Sequence, residues 1–83
     1  MDEEELAKIA TYAMWQSVDS TAIKQANWEI DFLGSSQSGT MNVQFHNGYE
    51  YAYPNVPMTV FEEFLSSSSK GRFLNQVIKP SYG

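Results

Sequence analysis

Three phenols at alternating positions, Tyr49, Tyr51 and Tyr53, are the most chemically suggestive residues of this chain. Alternation sets strand side chains on one face. A row of phenols there can stack on planar rings and hydrogen-bond their edges. A second cluster, Ser67-Ser68-Ser69-Lys70-Gly71-Arg72, joins hydroxyls, a glycine and two cations ahead of an apolar helical pattern. These are the parts of an anion site, in which helix N–H groups and charged donors meet a phosphate. Ser69, Lys70 and Arg72 are the residues expected to hold it. The spacing is not that of a strand-fed phosphate loop, and a polar interhelical turn is the competing reading. Other chemistry has few means. With one histidine, His46, and no cysteine, the chain has neither a thiol nucleophile nor a histidine pair for zinc. Glu29 and Asp31 share a strand face and read as a solvated edge. No catalytic residue, metal or cofactor is expected.

The tyrosines belong to a hairpin. Met41, Val43 and Phe45 alternate with Asn42, Gln44 and His46, and Asn47-Gly48 follows as a turn that accepts positive φ. Pro54 has no N–H for a ladder and is expected to end the second strand. Two registers are open. A two-residue turn pairs His46 with Tyr49, Gln44 with Tyr51 and Asn42 with Tyr53, which makes a wet face of phenols and amides including Gln44. A three-residue loop with Gly48 in a bulge moves the tyrosines beside Met41, Val43 and Phe45. The first is preferred, because it leaves Glu50 buried in only one pair, at the turn end.

The remaining elements follow from periodicity. Asp2 can cap a helix whose first turn, Glu3 to Glu5, suits its dipole. Leu6, Ile9, Ala10, Ala13 and Met14 recur at helical spacing, so residues 1–17 read as an amphipathic helix. Trp15 falls on the opposite side with Tyr12 on the flank. Either Trp15 folds back onto the domain, or the two mark an oligomer interface. Trp28, Ile30 and Phe32 alternate in a strand from Ile23 to Phe32, and residues 33–40 form a polar connection. Trp28, Ile30, Phe32, Met41, Val43 and Phe45 are the expected core face. Pro57 opens a helix with Val60, Phe61, Phe64 and Leu65 apolar, and Phe73 to Ile78 has the spacing of a second short one. The expected class is α+β: an N-terminal helix, a three-stranded antiparallel meander and two C-terminal helices. The helix at 1–17 precedes a domain at 18–83.

The pattern Met41-x-Val43-x-Phe45-x-Asn47-Gly48-x-x-Tyr51-x-Tyr53-x-x-Val56-Pro57 resembles the core of the KTSC domain. That family is named for its place at the C-terminus of some lysyl-tRNA synthetases, and it also occurs as small free-standing bacterial and phage proteins. Ser20, Thr21 and Ile23 match its leading motif. Ser69, Gly71 and Phe73, with Asn75 and Ile78, match its later one. The family's usual Tyr-Asp of the first strand stands here as Trp28-Glu29, so no role for that acid carries over. The resemblance runs from about Val18 to Tyr82. It implies a small α+β domain for which RNA binding has been suggested.

Eighty-three residues make one domain with a thin core, and such domains often gain stability by self-association. The net charge of −5 weighs against long nucleic acid, while short RNA stays compatible. The charge is uneven: Lys70, Arg72 and Lys79 lie in a C-terminal stretch without acids. Neither a signal peptide nor an apolar run of spanning length is present, so a cytoplasmic protein without a membrane partner is expected. Two functions fit. One is a non-enzymatic binding module for a nucleotide-type ligand, with Tyr49, Tyr51, Tyr53 and Gln44 on the bases and Ser69, Lys70 and Arg72 on phosphates. By analogy, small phage proteins of this size sequester cyclic nucleotide immune signals as homo-oligomers, and RNA binding is the neighbouring version. The other is a protein-interaction module with no small ligand.

Overall fold

The computed structural model describes residues 2–32 and 37–83. Part of the expected polar connection, 33–36, lies outside the described residues, and its far end is already strand. Strands β2 (Ile23–Ile30), β3 (Ser38–Phe45) and β4 (Glu50–Pro57) form an antiparallel meander in chain order. A two-residue strand, β1 (Gln16–Ser17), pairs with Ala26 and Gln25 at the outer edge of β2. The sheet therefore has four strands where three were expected, since two residues carry no periodic signal. Helices α1 (Glu3–Tyr12) and α2 (Met58–Ser66) and a C-terminal helical run cover one face. Their Ile9, Phe61, Phe64, Leu74 and Ile78 form one cluster with Ile23, Ala26, Trp28, Met41, Val43, Tyr53 and Val56 of the sheet.

Two bulges keep the right side chains inward. In β2, Ile23 pairs with Phe45 but Gln25 with Gln44, so Lys24 is the extra residue. Ile23, Ala26 and Trp28 are thereby all buried. In β4, Tyr53 pairs with Met41 and Val56 with Gly39, which leaves Pro54 and Asn55 together opposite Thr40. Asn55 has φ 61, a region that asparagine tolerates. The strand thus continues through Pro54 instead of ending there. Proline is accommodated because β4 is an edge strand, where one N–H can be missing. At the far end of β2, Trp28 is fully buried and its indole N–H donates to the Val56 carbonyl at 2.8 Å. Phe32, expected in the core, is 72% exposed, because the paired strand ends at Ile30.

Helix α1 is capped as expected, with Asp2 accepting from the Glu5 N–H. Its buried face differs from the expected one. Ile9 is buried and Glu5, Lys8 and Tyr12 are half-buried, whereas Leu6 and Met14 are exposed. The helix is turned this way because it lies against β2 with Tyr12 and Lys8 reaching α2. Tyr12 meets Phe61 edge-on at 5.3 Å, its hydroxyl donates to Glu62 at 2.8 Å, and Lys8 lies 3.5 Å from the same carboxylate oxygen. Burial first, then the hydrogen bond to Glu62 and its charge, push the Tyr12 phenol up to about 12. A tyrosine that holds its proton more tightly when folded contributes fully below the unfolded value of about 10, and loses that contribution as pH rises through its folded value. The stability gap between wild type and Tyr12→Phe is therefore expected to shrink from about pH 10 to about pH 12. Urea unfolding at several pH values reads it, and a constant gap rules the linkage out.

The C-terminal run is longer than the short helix expected at Phe73–Ile78. It comprises α3 (Lys70–Phe73), a wide π-type segment (Leu74–Ile78) and α4 (Lys79–Tyr82). In it the Lys79 N–H bonds back five residues to Leu74. Pro80 accounts for the widening, because it has no N–H for the Gln76 carbonyl and its ring would crowd that oxygen in a regular α-turn.

The other sheet face is an amide ladder. Asn42 donates to Asn27 at 2.8 Å and to Glu29 at 2.9 Å, and Gln25 donates to Gln44. Asn27, 6% exposed, also donates to the Ala13 carbonyl. Among the described residues no helix is long and apolar enough to cross a membrane.

Candidate functional site

The hairpin register decides where the tyrosines stand. The Phe45 N–H donates to the Tyr49 carbonyl at 2.8 Å, and the Gly48 N–H to Phe45 at 2.9 Å. Residues 46–48 are therefore a three-residue loop, with Gly48 at φ 94. Asn47 supports it by accepting from the Tyr49 N–H at 3.0 Å. The preferred two-residue register is thus incorrect, and the bulged alternative holds. Val43 pairs with Tyr51 and Met41 with Tyr53. The core explains the choice: this register turns Tyr53 inward beside Met41 and, past the bulge, buries Val56, whose carbonyl takes the Trp28 indole N–H.

This register separates the residues assigned to one ligand. Gln44 lies on the opposite face from the tyrosines. Tyr53 is 6% exposed and part of the core, with its phenol pKa raised by burial and then by Tyr51. Tyr49 and Tyr51 share the core-facing side but lie beyond the helices, 67% and 56% exposed. Tyr51 stands edge-on to Phe45 at 5.7 Å, so the open end is a small aromatic platform of Phe45, Tyr49 and Tyr51. His46 sits at the turn, its Nε2 2.9 Å from the Ser20 carbonyl, to which it donates.

The cationic cluster is elsewhere. An open cleft of about 180 Å³ is lined by Ser67, Ser68, Ser69, Arg72, Phe73 and Gln76 among others. Lys70 is not in its lining. Its ammonium donates to the Ser67 carbonyl, which closes the turn between α2 and α3. Ser69 is partly spent as well: its hydroxyl accepts from the Arg72 N–H at 3.3 Å as the helix cap. The Ser67 hydroxyl donates to Phe64 at 2.8 Å. Arg72 is exposed, and nothing among the described residues accepts from its guanidinium. Of the expected phosphate ligands, Arg72 and Ser69 stay together and Lys70 turns away. Phe73 and Gln76 were read only as helix; their i, i+3 spacing onto the side of Arg72 was the signal. At the other end of the chain, Trp15 is 41% exposed, while Tyr12 is half-buried against Phe61 and Glu62 of its own chain.

A family profile described as the KTSC domain matches residues 19–82. The chain belongs to the KTSC domain family. The crystal structure of a KTSC domain protein from Yersinia pestis superimposes with a TM-score of 0.71 at 30% identity, over 84% of this chain and 90% of that one. A protein of Tsukamurella paurometabola is 33% identical over 67 residues, which is 81% of this chain and 91% of the relative. The KTSC match begins after α1 and β1 and takes in both the aromatic platform and the cleft. Of Ser69, Gly71 and Phe73, which resemble the family's later motif, Ser69 and Phe73 line the cleft and Gly71 lies between them in α3. Tyr51 and Tyr53 of its central motif divide between platform and core.

Proposed function

We propose that this KTSC domain is a non-enzymatic, cytoplasmic binding module that takes a small phosphate-bearing ligand of nucleotide type in the cleft between Ser67 and Gln76. The observation that carries the reading is Arg72, a guanidinium with no acceptor among the described residues, at the rim of a cleft whose other walls are hydroxyls, an amide, the Phe73 ring and Val77. Guanidinium and hydroxyl donors suit a phosphate, and an aromatic wall suits a base. The volume is small beside a typical ligand pocket of about 300–1,000 Å³, so one cleft suits one phosphate and part of a ring. A cyclic dinucleotide would need the clefts of two copies. The absence of cysteine and the single turn histidine support a binding role over catalysis. RNA is less favoured, because the open sheet face carries Glu29 and Glu50 among amides and no basic stripe.

Calorimetric titration with inorganic phosphate, adenosine monophosphate and a cyclic dinucleotide tests this. Removing one charge-assisted contact costs about 1.5–3 kcal/mol, so Arg72→Ala is expected to weaken binding roughly tenfold or more. Wild-type protein that takes up none of the three sinks the cleft reading. The exposed Tyr49 and Tyr51 favour a second reading, a protein-interaction surface at the platform.

A further inference from the structure

The outer edge of β4 is open over its first half. β4 ends the strand order, and Glu50, Tyr51, Ala52, Pro54 and Asn55 are all exposed. Main-chain groups alternate in direction along a strand. The Phe45 N–H points to β4 and the His46 N–H to Ala22, so odd residues of β3 face β4 and even ones face β2. Tyr51 and Tyr53, paired with Val43 and Met41, spend their main-chain groups inside the sheet. Glu50 and Ala52 turn theirs outward, to no partner among the described residues. Edges are normally blocked by lysines, prolines, bulges or a covering segment. Here Pro54 and the bulge at Asn55 guard only the second half, and the first half carries one charge, Glu50.

We propose that a second copy of this chain pairs antiparallel along β4, with Tyr51 on the two-fold axis, joining the two sheets into one. Self-pairing needs an edge that complements itself, and this register does. Glu50 faces the partner's Ala52, and both exchange their N–H and C=O groups. Centring on Ala52 would set the Glu50 carbonyl against the partner's Pro54, which has no N–H. Centring on Glu50 would set two carboxylates face to face. With Tyr51 on the axis, it meets the partner's Tyr51 at a non-hydrogen-bonded position, where side chains approach most closely. That accounts for a phenol 56% exposed on the face that is elsewhere core. Tyr49 comes beside the partner's Tyr53, so the two platforms merge into one aromatic strip. The pairing is independent of the cleft, which lies on other elements.

Sedimentation velocity and amide hydrogen exchange over a concentration series decide it. The expected result is a dimer in which the Glu50 and Ala52 amides, free in the monomer, exchange at least tenfold more slowly as concentration rises. Ala52→Pro removes a donor that its own sheet does not use, and Tyr51→Lys sets two ammonium groups on the axis. Both variants are expected to be monomers with native circular dichroism. A wild-type monomer throughout the series overturns the proposal. So does a dimer with unchanged Glu50 and Ala52 exchange, or one that persists in either folded variant.

Discussion

Gly39→Ala is expected to bring the domain close to unfolding. A Cβ at Gly39 would lie 2.4 Å from the Glu29 carbonyl oxygen and 2.6 Å from the indole of Trp28. Neither neighbour can yield. The carbonyl is main chain of the paired strand β2, and the indole is fully buried and tied to Val56. Relief requires β2 and β3 to separate or Trp28 to leave its place. Overpacking typically costs about 1–3 kcal/mol, and a clash with main chain lies at or above the top of that range. A domain of this length has a total stability of roughly 4–12 kcal/mol. A drop in melting temperature on the order of 15 °C is expected. The double variant with Trp28→Phe should be less destabilised than the two single effects together, since a smaller ring returns part of the space. A melting temperature within a few degrees of wild type would show that the strands yield there.

Deleting residues 1–17 is expected to cost nearly as much or more, although the family match starts only at residue 19. Ile9 is part of the central cluster, and burial of such a side chain contributes about 1.5–3 kcal/mol. The Tyr12 and Phe61 rings add about 1 kcal/mol. Asn27 would lose the Ala13 carbonyl and much of its cover, and Ala26 would lose its pairing with Gln16. Together these amount to on the order of 4–6 kcal/mol, comparable with the whole stability of so small a domain. Circular dichroism melts should show a shortened chain that is largely unfolded or melts about 20 °C lower. A shortened chain with an unchanged melt would mean that α1 only rides on the domain.

The class of the fold was legible from period-two and helical spacing, because burial dictates both. The details that position the candidate site were not. Tyrosine suits a wet or a dry face equally, so the hairpin register turned on what Tyr53 and Val56 would pack against. Their core neighbours, Trp28 and the helices over the sheet, lie outside any local window. The face of α1 was misjudged for a related reason. It packs on β2 and reaches α2 by its side chains, where the half-polar Lys8 and Tyr12 are held by Glu62. β1 is too short for periodicity, and the wide turn in the last helix follows from Pro80, which reads simply as a stop. In the cleft, residue types pointed to Arg72 and Ser69, which both line it, but the direction of Lys70 depends on the carbonyl of Ser67.

Because strand order repeats chain order, each hairpin of the meander closes across a short connection. Little loop-closure entropy opposes such pairings, and sheets of this kind assemble quickly for their size. On a ribosome, the meander is complete once Pro57 has emerged. Of the segments that cover it, α1 is made before it, and α2 and the C-terminal helical run after it. For that interval only α1 can cover the face of Trp28, Met41 and Val43, so the speed of translation through residues 58–83 sets how long its apolar surface stays open to other chains.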